Sequence, residues 1–491
     1  MSESPYEIII GLEVHVQLAT ETKLFCRCST KYGAPPNTQT CPVCLAMPGT
    51  LPVMNRHAFE LAMKTACALN LEIPRFTKWD RKNYYYPDLP KGYQISQYDL
   101  PMSQNGYLLI TDPKGQFEPR KVRIIRAHLE EDAGKSMHDE AAGKADSRID
   151  LNRTGTPLLE IVSEPDMRSP LEAKAYLTEL KLILEYLGVS DCNMQEGSLR
   201  VDANVNLHLL DDDGKKVATP IVEIKNMNSF RAVERAIAYE ATRQYDVWKE
   251  TKQTIGKVPK QTRGWDDQAQ VTRAQRHKEE SSDYRYFPEP DLAPVTTTEE
   301  EVAAVLASLC ELPRQTRDRL EAEYKIPAYD SDVIVNQGKA TVDYYETLAK
   351  LGGDGKLASN WVQQEVLRIQ KERGLEIEAF PIKVERLAGL VKAVAGKEID
   401  GTRAKDVFAE MLDTEKSAAD VMKEMGIEKV DDSELENLCR ELLTANPKVV
   451  ADLKEGTVKA VGALIGQAKK KNPNIDPGAF RQMCIDMAAN M

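Results

Sequence analysis

Residues 8–18 read IIIGLEVHVQL, and the fold of the first half of the chain follows from this stretch. In an extended strand, successive side chains point to opposite faces. One face of the strand is then apolar and carries Leu12, Val14, Val16 and Leu18. The other face carries Glu13, His15 and Gln17. A carboxylate beside an imidazole on an apolar strand predicts a metal ion or a phosphate-bearing ligand on that face, or else an edge strand whose polar face meets water.

The same alternation recurs downstream, in residues 122–132, 148–153, 198–209 and 221–226. It is most regular in residues 198–209, whose polar set is Arg200, Asp202, Asn204, Asn206 and His208. Strands with one apolar face predict a mostly antiparallel sheet whose apolar side is covered by helices. The residue types of the polar side are those that coordinate hard cations and clamp phosphates, which disfavours a merely solvated surface.

Length and composition bound the class of protein. A chain of 491 residues predicts two to four domains, each with its own core. No apolar run is long enough to span a bilayer, and the acidic N-terminal residues do not resemble a targeting peptide, so we expect a cytoplasmic protein without a membrane segment. The net charge of −12 argues against general nucleic-acid binding, so an RNA partner would need a local basic surface.

Four of the nine cysteines are spaced as a metal knuckle. Cys26 and Cys28 form a C-x-C pair, and Cys41 and Cys44 form a C-x-x-C pair twelve residues later. This spacing predicts a closed, structural Zn²⁺ site with four thiolate ligands. Four unligated buried thiols are the alternative.

Two loop segments have more than one interpretation. Residues 80–97 are dense in aromatics and amides, which suits either contact with a base or sugar or a well-packed turn. Residues 251–282 are polar and charged, which suits either a hairpin facing an RNA or a subunit, or a solvated excursion.

The remainder of the chain is predicted to be helical. A domain boundary is expected at residues 292–295, and Thr298 with Glu301 forms a capping box that opens a helix. Near the C-terminus lie Lys454, Lys459 and the run 469–471. Against the acidic background these lysines are the best local footprint for an RNA backbone, although a lysine run is often only a solvated face.

Several long motifs resemble one known family. They lie at residues 10–16, 80–84, 128–135, 150–162, 196–204 and 283–291. Together they are similar to the B subunit of the bacterial aspartyl/glutamyl-tRNA amidotransferases, the GatB family, and the resemblance extends over essentially the whole chain. It implies an α+β fold with three domains: a mostly antiparallel sheet cradle resembling glutamine synthetase (residues 1–293), an all-α helical domain (294–405) and a YqeY-like, tRNA-binding tail domain (406–491).

The activity implied by the resemblance is the kinase and transamidation half of a two-subunit reaction. Glu-tRNA(Gln) or Asp-tRNA(Asn) would be activated by ATP to an acyl phosphate and then aminated by ammonia. The residue chemistry agrees, because a carboxylate reacts with ammonia only once its oxygen is a good leaving group, and phosphoryl transfer needs Mg²⁺ and cationic groups around the phosphate. A non-catalytic tRNA-binding scaffold is the alternative.

Matching the motifs residue by residue assigns roles to the polar face. The Mg²⁺/ATP site would be formed by Glu13, His15, Glu130 and Glu131. Lining residues would be His128, Asp150, Asn152, Asp202 and Asn204. The candidates to neutralise phosphate charge are Arg200 and Lys225. Strand parity favours Glu130 over Glu131 as the residue facing the site, although a bulge could turn either one inward.

The resemblance also implies partners. Ammonia would come from glutamine hydrolysis on an amidase-type glutaminase, the A subunit, and a small C subunit would brace the pair in a heterotrimer. The cysteines outside the predicted zinc site and the first helix have no companion histidine nearby in sequence, so a cysteine glutaminase on this chain is not supported. The ammonia source is therefore expected on another chain.

Overall fold

The computed structural model describes residues 5–138, 147–275, 284–427, 432–454 and 457–490. The chain forms two compact units, residues 1–313 and 314–491. Within the described ranges, every helix is too short or too polar to cross a membrane.

The first unit is built on a nine-stranded sheet. Its strands are β1 (Tyr6–Gln17), β5 (Ser103–Ile110), β6 (Arg120–Glu131), β9 (Pro157–Ser163), β10 (Leu199–Leu210), β11 (Lys216–Ala218), β12 (Val222–Lys225), β13 (Gln261–Asp266) and β14 (Val271–Ala274). The order is β14-β13-β12-β10-β1-β9-β6-β5, with β11 paired to β10. Every pair is antiparallel except β12 with β13.

Alternation along β1 and β10 separates a core face from a polar face. Leu12, Val14 and Val16 are fully buried, as are their counterparts on β10. Three helices cover this apolar side: α1 (Arg56–Ala68), α2 (Pro170–Tyr186) and α3 (Phe230–Thr251). Their buried residues share one core with the strands. The opposite side of the sheet, which we call the polar face, carries Glu13 and His15.

A β-bulge in β6 keeps the polar residues of that strand on the polar face. The register with β9 shifts between Ile124 and Arg126. Before the bulge, Val122 and Ile124 are in the core, and after it Ala127 and Leu129 are. The core parity therefore changes from even to odd, so that Arg126 and the even-numbered residues after it lie on the polar face.

Shorter sheets flank the large one. One is three-stranded, in the order β15-β3-β4, from β3 (Asp80–Asn83), β4 (Tyr93–Ser96) and β15 (Phe287–Pro288). Two are two-stranded, pairing β2 (Phe76–Thr77) with β16 (Val295–Thr296), and β7 (Lys135–His138) with β8 (Ser147–Asp150). The predicted strand at 148–153 therefore belongs to a small hairpin and not to the large sheet.

The remaining elements are helices. The first unit ends with α4 (Glu299–Ala307), which opens with the predicted capping box of Thr298 and Glu301. The others are α5 (Pro313–Tyr324), α6 (Ala328–Val335), α7 (Lys339–Gly352), α8 (Gly355–Trp361), α9 (Leu367–Arg373), α10 (Val384–Ala395), α11 (Gly401–Leu412), α12 (Ala418–Glu424), α13 (Asp432–Ala445), α14 (Pro447–Lys454), α15 (Val461–Lys471) and α16 (Pro477–Asn490). A π-helical turn, Val362–Val366, joins α8 to α9.

The α+β class, the antiparallel-dominated sheet and the helical C-terminal region are confirmed. The division at residues 293 and 405 stays a prediction. Of the polar segment 251–282, residues 261–274 form the hairpin β13–β14, and residues 276–282 lie outside the described ranges.

Candidate active site

A row of polar side chains crosses the polar face where β1 lies between β9 and β10. His128 on β6 pairs with Glu160 on β9, and Glu160 pairs with His15 on β1. His15 in turn pairs with Arg200 on β10. Residues far apart in sequence meet here because the strand register places them side by side.

His15, Glu130 and Glu160 form a compact group, which we call the His15 cluster. His15 Nε2 lies 3.5 Å from Glu160 Oε2 and 4.0 Å from Glu130 Oε1. His128 Nε2 lies 3.6 Å from Glu160 Oε2 and borders the cluster. One ligand atom from each cluster residue lies within 4.8 Å of the others, so the three could hold one cation.

Electrostatics hold this cluster in its charged form. Burial would lower the pKa of His15, but the hydrogen bond and charge of Glu160, with the charge of Glu130, outweigh it and raise the pKa. Burial would raise the pKa of Glu160 and of Glu130, but the neighbouring histidines lower both. A raised pKa favours the protonated imidazole between two carboxylates, an arrangement in which a divalent cation can replace the proton.

A second acidic group, the Glu13 cluster, lies on the neighbouring row. Glu13 pairs with Asp202 across β1 and β10, and the carboxylates of Glu13, Asp202 and Glu223 lie within 4.8 Å of one another. Asn204 Nδ2 donates a hydrogen bond of 2.8 Å to Glu13 Oε1. Lys225 forms an ion pair with Asp202 and another, of 3.1 Å, with Glu223. The predicted phosphate-binding lysine is thus bound to acids of this cluster.

Lys82 on β3 faces the His15 cluster from the small sheet. Its Nζ lies 5.0 Å from the centroid of the Tyr284 ring. Burial would lower the pKa of Lys82, but the charges of Glu130 and Glu160 raise it. The lysine is therefore a cation directed at the two carboxylates of the cluster.

Glu130 and Glu131 point to different sides of β6. Glu130 belongs to the His15 cluster, whereas Glu131 accepts a hydrogen bond of 2.9 Å from Ile95 N and pairs with Lys91. Strand parity, which favoured Glu130 as the residue facing the site, is followed here.

The Arg200 side chain is engaged by a buried acid. Its Nη2 donates to Asp132 Oδ1 at 2.9 Å, and the same carboxylate accepts from Gln17 Nε2 at 2.8 Å. Burial would raise the pKa of Asp132, but the charges of Arg200 and Arg153 lower it. The second predicted phosphate-binding residue is therefore also in an ion pair.

Asp150 and Asn152 contact a loop rather than the two clusters. Asp150 Oδ1 accepts from Asn37 N at 3.0 Å, and Asn152 Oδ1 accepts from Gln39 N at 2.8 Å. Both side chains contact residues within the segment 34–39. This segment belongs to residues 25–45, which carry the four cysteines and which we call the cysteine loop. The structure does not bring them to the His15 or Glu13 cluster.

The four cysteines of the predicted zinc site come together. The Sγ atoms of four cysteines lie within 4.8 Å of one another: Cys26, Cys28, Cys41 and Cys44. Cys41 N donates to Cys44 Sγ at 3.2 Å. The hydrogen bond from Cys26, outweighing burial, lowers the pKa of Cys44 to about 4, with a further contribution from the charge of Lys23. Four sulfurs at this spacing fit a tetrahedral zinc ion.

Lys23 connects the cysteine loop to the rest of the unit. Its fully buried side chain donates from Nζ to Cys44 Sγ at 3.6 Å, to Gln39 O at 2.8 Å and to Leu151 O at 3.2 Å. A cavity of about 260 Å³ lies beside these groups, lined also by Lys91 and Glu131. The cysteine loop is thereby fixed beside the strand that carries Glu130.

The tail carries exposed lysines. Within the predicted basic footprint, Lys454, Lys459 and Lys470 are exposed and have no hydrogen bond or ion pair to another described residue. Lys471 pairs with Glu441, and Lys469 lies 3.9 Å from Asp400. Part of the predicted basic footprint is therefore free to meet a polyanion.

Glu160, Glu223 and Lys82 were not assigned roles from the sequence, although each stands in a stretch that was singled out. Glu160 alternates with Leu159 and Ile161, which was the available signal. The register between strands decides which acidic residues become neighbours, and alternation along one strand does not predict that register.

Comparison with known proteins gives one consistent family. A family described as the GatB/GatE catalytic domain matches residues 8–303, and one described as the GatB domain matches residues 343–484.

Individual relatives match over nearly the full length. The chain is 62% identical over 487 residues to the B subunit of the aspartyl/glutamyl-tRNA(Asn/Gln) amidotransferase of Rhodopirellula baltica, covering 99% of this chain and 98% of the relative. It is 46% identical over 489 residues to the protein of the same name from Carboxydothermus hydrogenoformans, covering 99% of each. For that of Thermoanaerobacter pseudethanolicus the identity is 47% over 466 residues, covering 95% of each.

Proposed function

Because the chain belongs to the family of aspartyl/glutamyl-tRNA(Asn/Gln) amidotransferase B subunits, we propose that its polar face performs the ATP-dependent step of this reaction. The side-chain carboxylate of Glu-tRNA(Gln), Asp-tRNA(Asn) or both is phosphorylated there and then amidated. The observation that carries the proposal is the pair of acidic clusters around His15 and Glu13 on adjacent rows of one sheet face. Carboxylates repel phosphate by themselves but can hold the divalent cations that position phosphate groups, and phosphoryl transfer requires that positioning more than a covalent nucleophile.

The reaction balances in two steps. An oxygen of the substrate carboxylate attacks the γ-phosphorus of ATP, and the bond to the bridging oxygen of ADP breaks. Ammonia then attacks the acyl carbon, inorganic phosphate leaves, and the nitrogen loses a proton to give the amide. The polar face contributes orientation and charge to both steps, since its groups are held in place by register and burial.

The donor set fits magnesium. Carboxylate oxygens are the ligands that Mg²⁺ prefers, and both clusters supply them, with His15 adding one imidazole. Glu13, His15, Glu130 and Glu160 are the residues that would hold the metal, and Asp202 and Glu223 would complete the Glu13 cluster. A bound Mg²⁺ would supply neutralisation of phosphate charge at this face.

His128 and Asn204 orient this machinery. His128 is buried beside Glu160, and Asn204 hydrogen-bonds Glu13. Hydrogen bonds to ligating carboxylates fix their rotamers, which is the usual contribution of groups behind a metal site.

The ammonia is proposed to come from a partner glutaminase, the amidase-type A subunit, in a heterotrimer with a small C subunit. The proposed substrate tRNA is contacted by the exposed lysines of the tail, which offer counterion release on binding a phosphate backbone. We place the reaction in the cytoplasm, where charged tRNA is used. The tetrathiolate group would hold a structural zinc ion that fixes the cysteine loop.

Site-directed variants of the co-expressed heterotrimer test the proposal. Glu13→Ala and His15→Ala should abolish ATP-dependent amidation while leaving tRNA binding nearly intact. Glu7→Ala is the matched control, because Glu7 lies on the same strand but pairs with Arg168 at the surface. Both misacylated tRNAs should be assayed, with glutamine as the nitrogen source. Unchanged turnover in the two cluster variants would favour the scaffold alternative.

A further inference from the structure

Arg126 is a cation on the polar face that has no role in the proposed function so far. It follows the bulge in β6, and its row neighbour on β9 is Val162. Val162 in turn pairs with Glu13 on β1. Arg126 therefore begins the row that leads through Val162 to the Glu13 cluster, and it lies two residues before His128 on its own strand.

Among the described residues, no acid forms an ion pair with this arginine. Its side chain makes no hydrogen bond or ion pair with another residue in the described part of the chain, and its Nε is buried without an acceptor. The two arginine and lysine candidates for binding phosphate are already in ion pairs: Arg200 with Asp132, and Lys225 with Asp202 and Glu223. Lys82 faces the two carboxylates of the His15 cluster. A buried guanidinium nitrogen without an acceptor is costly, which indicates that an anion binds there.

The distances suit a ligand shared with both clusters. Two residues along a strand span about 6.8 Å, and neighbouring strands lie about 4.8 Å apart. The backbone of Arg126 is thus about 7 Å from that of His128 and about 10 Å from that of Glu13. The short side chain of Val162 stands between Arg126 and Glu13. A long, extended arginine at this position can reach an anion that also contacts the cluster residues.

We propose that Arg126 binds oxygens of the phosphoryl group that is transferred on the polar face. The inference rests on the proposed function and adds the residue that receives the phosphate charge in place of the paired Arg200 and Lys225. The guanidinium presents parallel N–H donors that match two phosphate oxygens, which favours arginine over lysine for this task. The ligand chemistry is that of a phosphoryl group in an anhydride, first the phosphoanhydride of ATP and then the mixed anhydride of the acyl phosphate.

The experiment uses the intact heterotrimer with Arg126→Gln, Arg126→Lys and the control Arg123→Gln. Arg123 lies on the same strand and the same face but is exposed and paired with Asp166. Equilibrium binding of Mg-ATP is measured by calorimetry, and amidation is measured with ATP and misacylated tRNA varied separately.

We expect Arg126→Gln to weaken ATP binding by about 10- to 100-fold, as for the loss of a charge-assisted hydrogen bond. In Arg126→Gln the KM for the misacylated tRNA should stay unchanged. In Arg123→Gln both the ATP affinity and the KM for the misacylated tRNA should equal those of the parent complex. Arg126→Lys should recover part of the ATP affinity but little of the turnover, because the bidentate geometry is lost.

Two outcomes would overturn the inference. One is ATP affinity equal to the parent complex in Arg126→Gln. The other is an increase of KM for the misacylated tRNA alone, which would assign Arg126 to the substrate carboxylate. Failure of the proposed function would look different, since the parent complex itself would then make the amide without ATP or not at all. If the parent complex bound no ATP, both the proposed function and the role of Arg126 would be refuted.

Discussion

Replacing Glu160 by Gln tests whether the His15 cluster is a cation site. The change keeps the shape of the side chain but removes the negative charge 3.5 Å from His15 Nε2 and 3.6 Å from His128 Nε2. One of three ligands is lost. Because even changes behind a metal site cost 10- to 100-fold in affinity, we expect Mn²⁺, used as a probe for Mg²⁺, to bind about 100-fold more weakly, or by about 2.7 kcal/mol.

The pH dependence gives a second readout of the same variant. At an effective dielectric constant of about 20, opposite unit charges 3.5 Å apart attract by roughly 5 kcal/mol before desolvation is subtracted, so Glu160 is able to raise the pKa of His15 against burial. In the parent protein the metal must displace this proton, so affinity should rise with pH until the raised pKa of His15 is passed. In Glu160→Gln that rise should move to lower pH.

Electron paramagnetic resonance of free Mn²⁺ measures the Mn²⁺ affinity. Repeating the titration between about pH 6 and 8, the range in which histidines usually titrate, gives its pH dependence. Glu164→Gln is the control, since Glu164 lies one residue beyond the same strand and outside both clusters. If Glu160→Gln binds Mn²⁺ with the parent affinity and the parent pH profile, the cluster is not a metal site and the reasoning fails.

Further predictions concern other parts of the chain. Cys41→Ser should lose the one zinc per chain expected by elemental analysis while retaining amidation by the isolated, folded complex. Lys225→Met should tighten Mn²⁺ binding at the Glu13 cluster, because the ammonium that pairs with two of its acids is removed; weaker binding would contradict this. Asp132→Asn should lower the free energy of unfolding by about 1–3 kcal/mol at neutral pH, because a charge-assisted hydrogen bond is lost while the Arg200 side chain, 37% exposed, can still be hydrated. Because the pKa of Asp132 is lowered, this contribution exists above the ordinary aspartate pKa and disappears as pH falls through the lowered value, which urea unfolding at several pH values would check. Lys470→Gln should weaken tRNA binding and reduce the salt slope by about 0.7 to 0.9 of a counterion; an unchanged slope would remove this lysine from the tRNA surface.

Alternation predicted which side chains share a face, and this held for β1 and β10. It worked because a two-residue period is a property of the strand itself. The same alternation does not predict which strands are neighbours in the sheet. Nothing local in residues 157–163 indicates that Glu160 lies beside His15, since that pairing depends on long-range register.

Two further features lay beyond the local pattern. The segment at 148–153 alternates like the others, but Asp150 and Asn152 contact the cysteine loop because their strand pairs with β7 in a hairpin. The ion pair of Arg200 with Asp132 was also not predictable, because residues 68 positions apart met only through the sheet. Residue type suggested Arg200 and Lys225 as phosphate ligands, whereas tertiary pairing engages both of them with acids and leaves Arg126 without an ion pair among the described residues.

The row of His128, Glu160 and His15 lies on strands that are paired on both sides in the middle of the sheet. Their backbone amides should exchange with deuterium only when the whole first unit opens, not through local fraying. Thermal inactivation and cooperative melting of that unit should then follow a single curve. A site built on loops would lose activity at temperatures where the protein is still folded; the geometry of this row should last as long as the sheet.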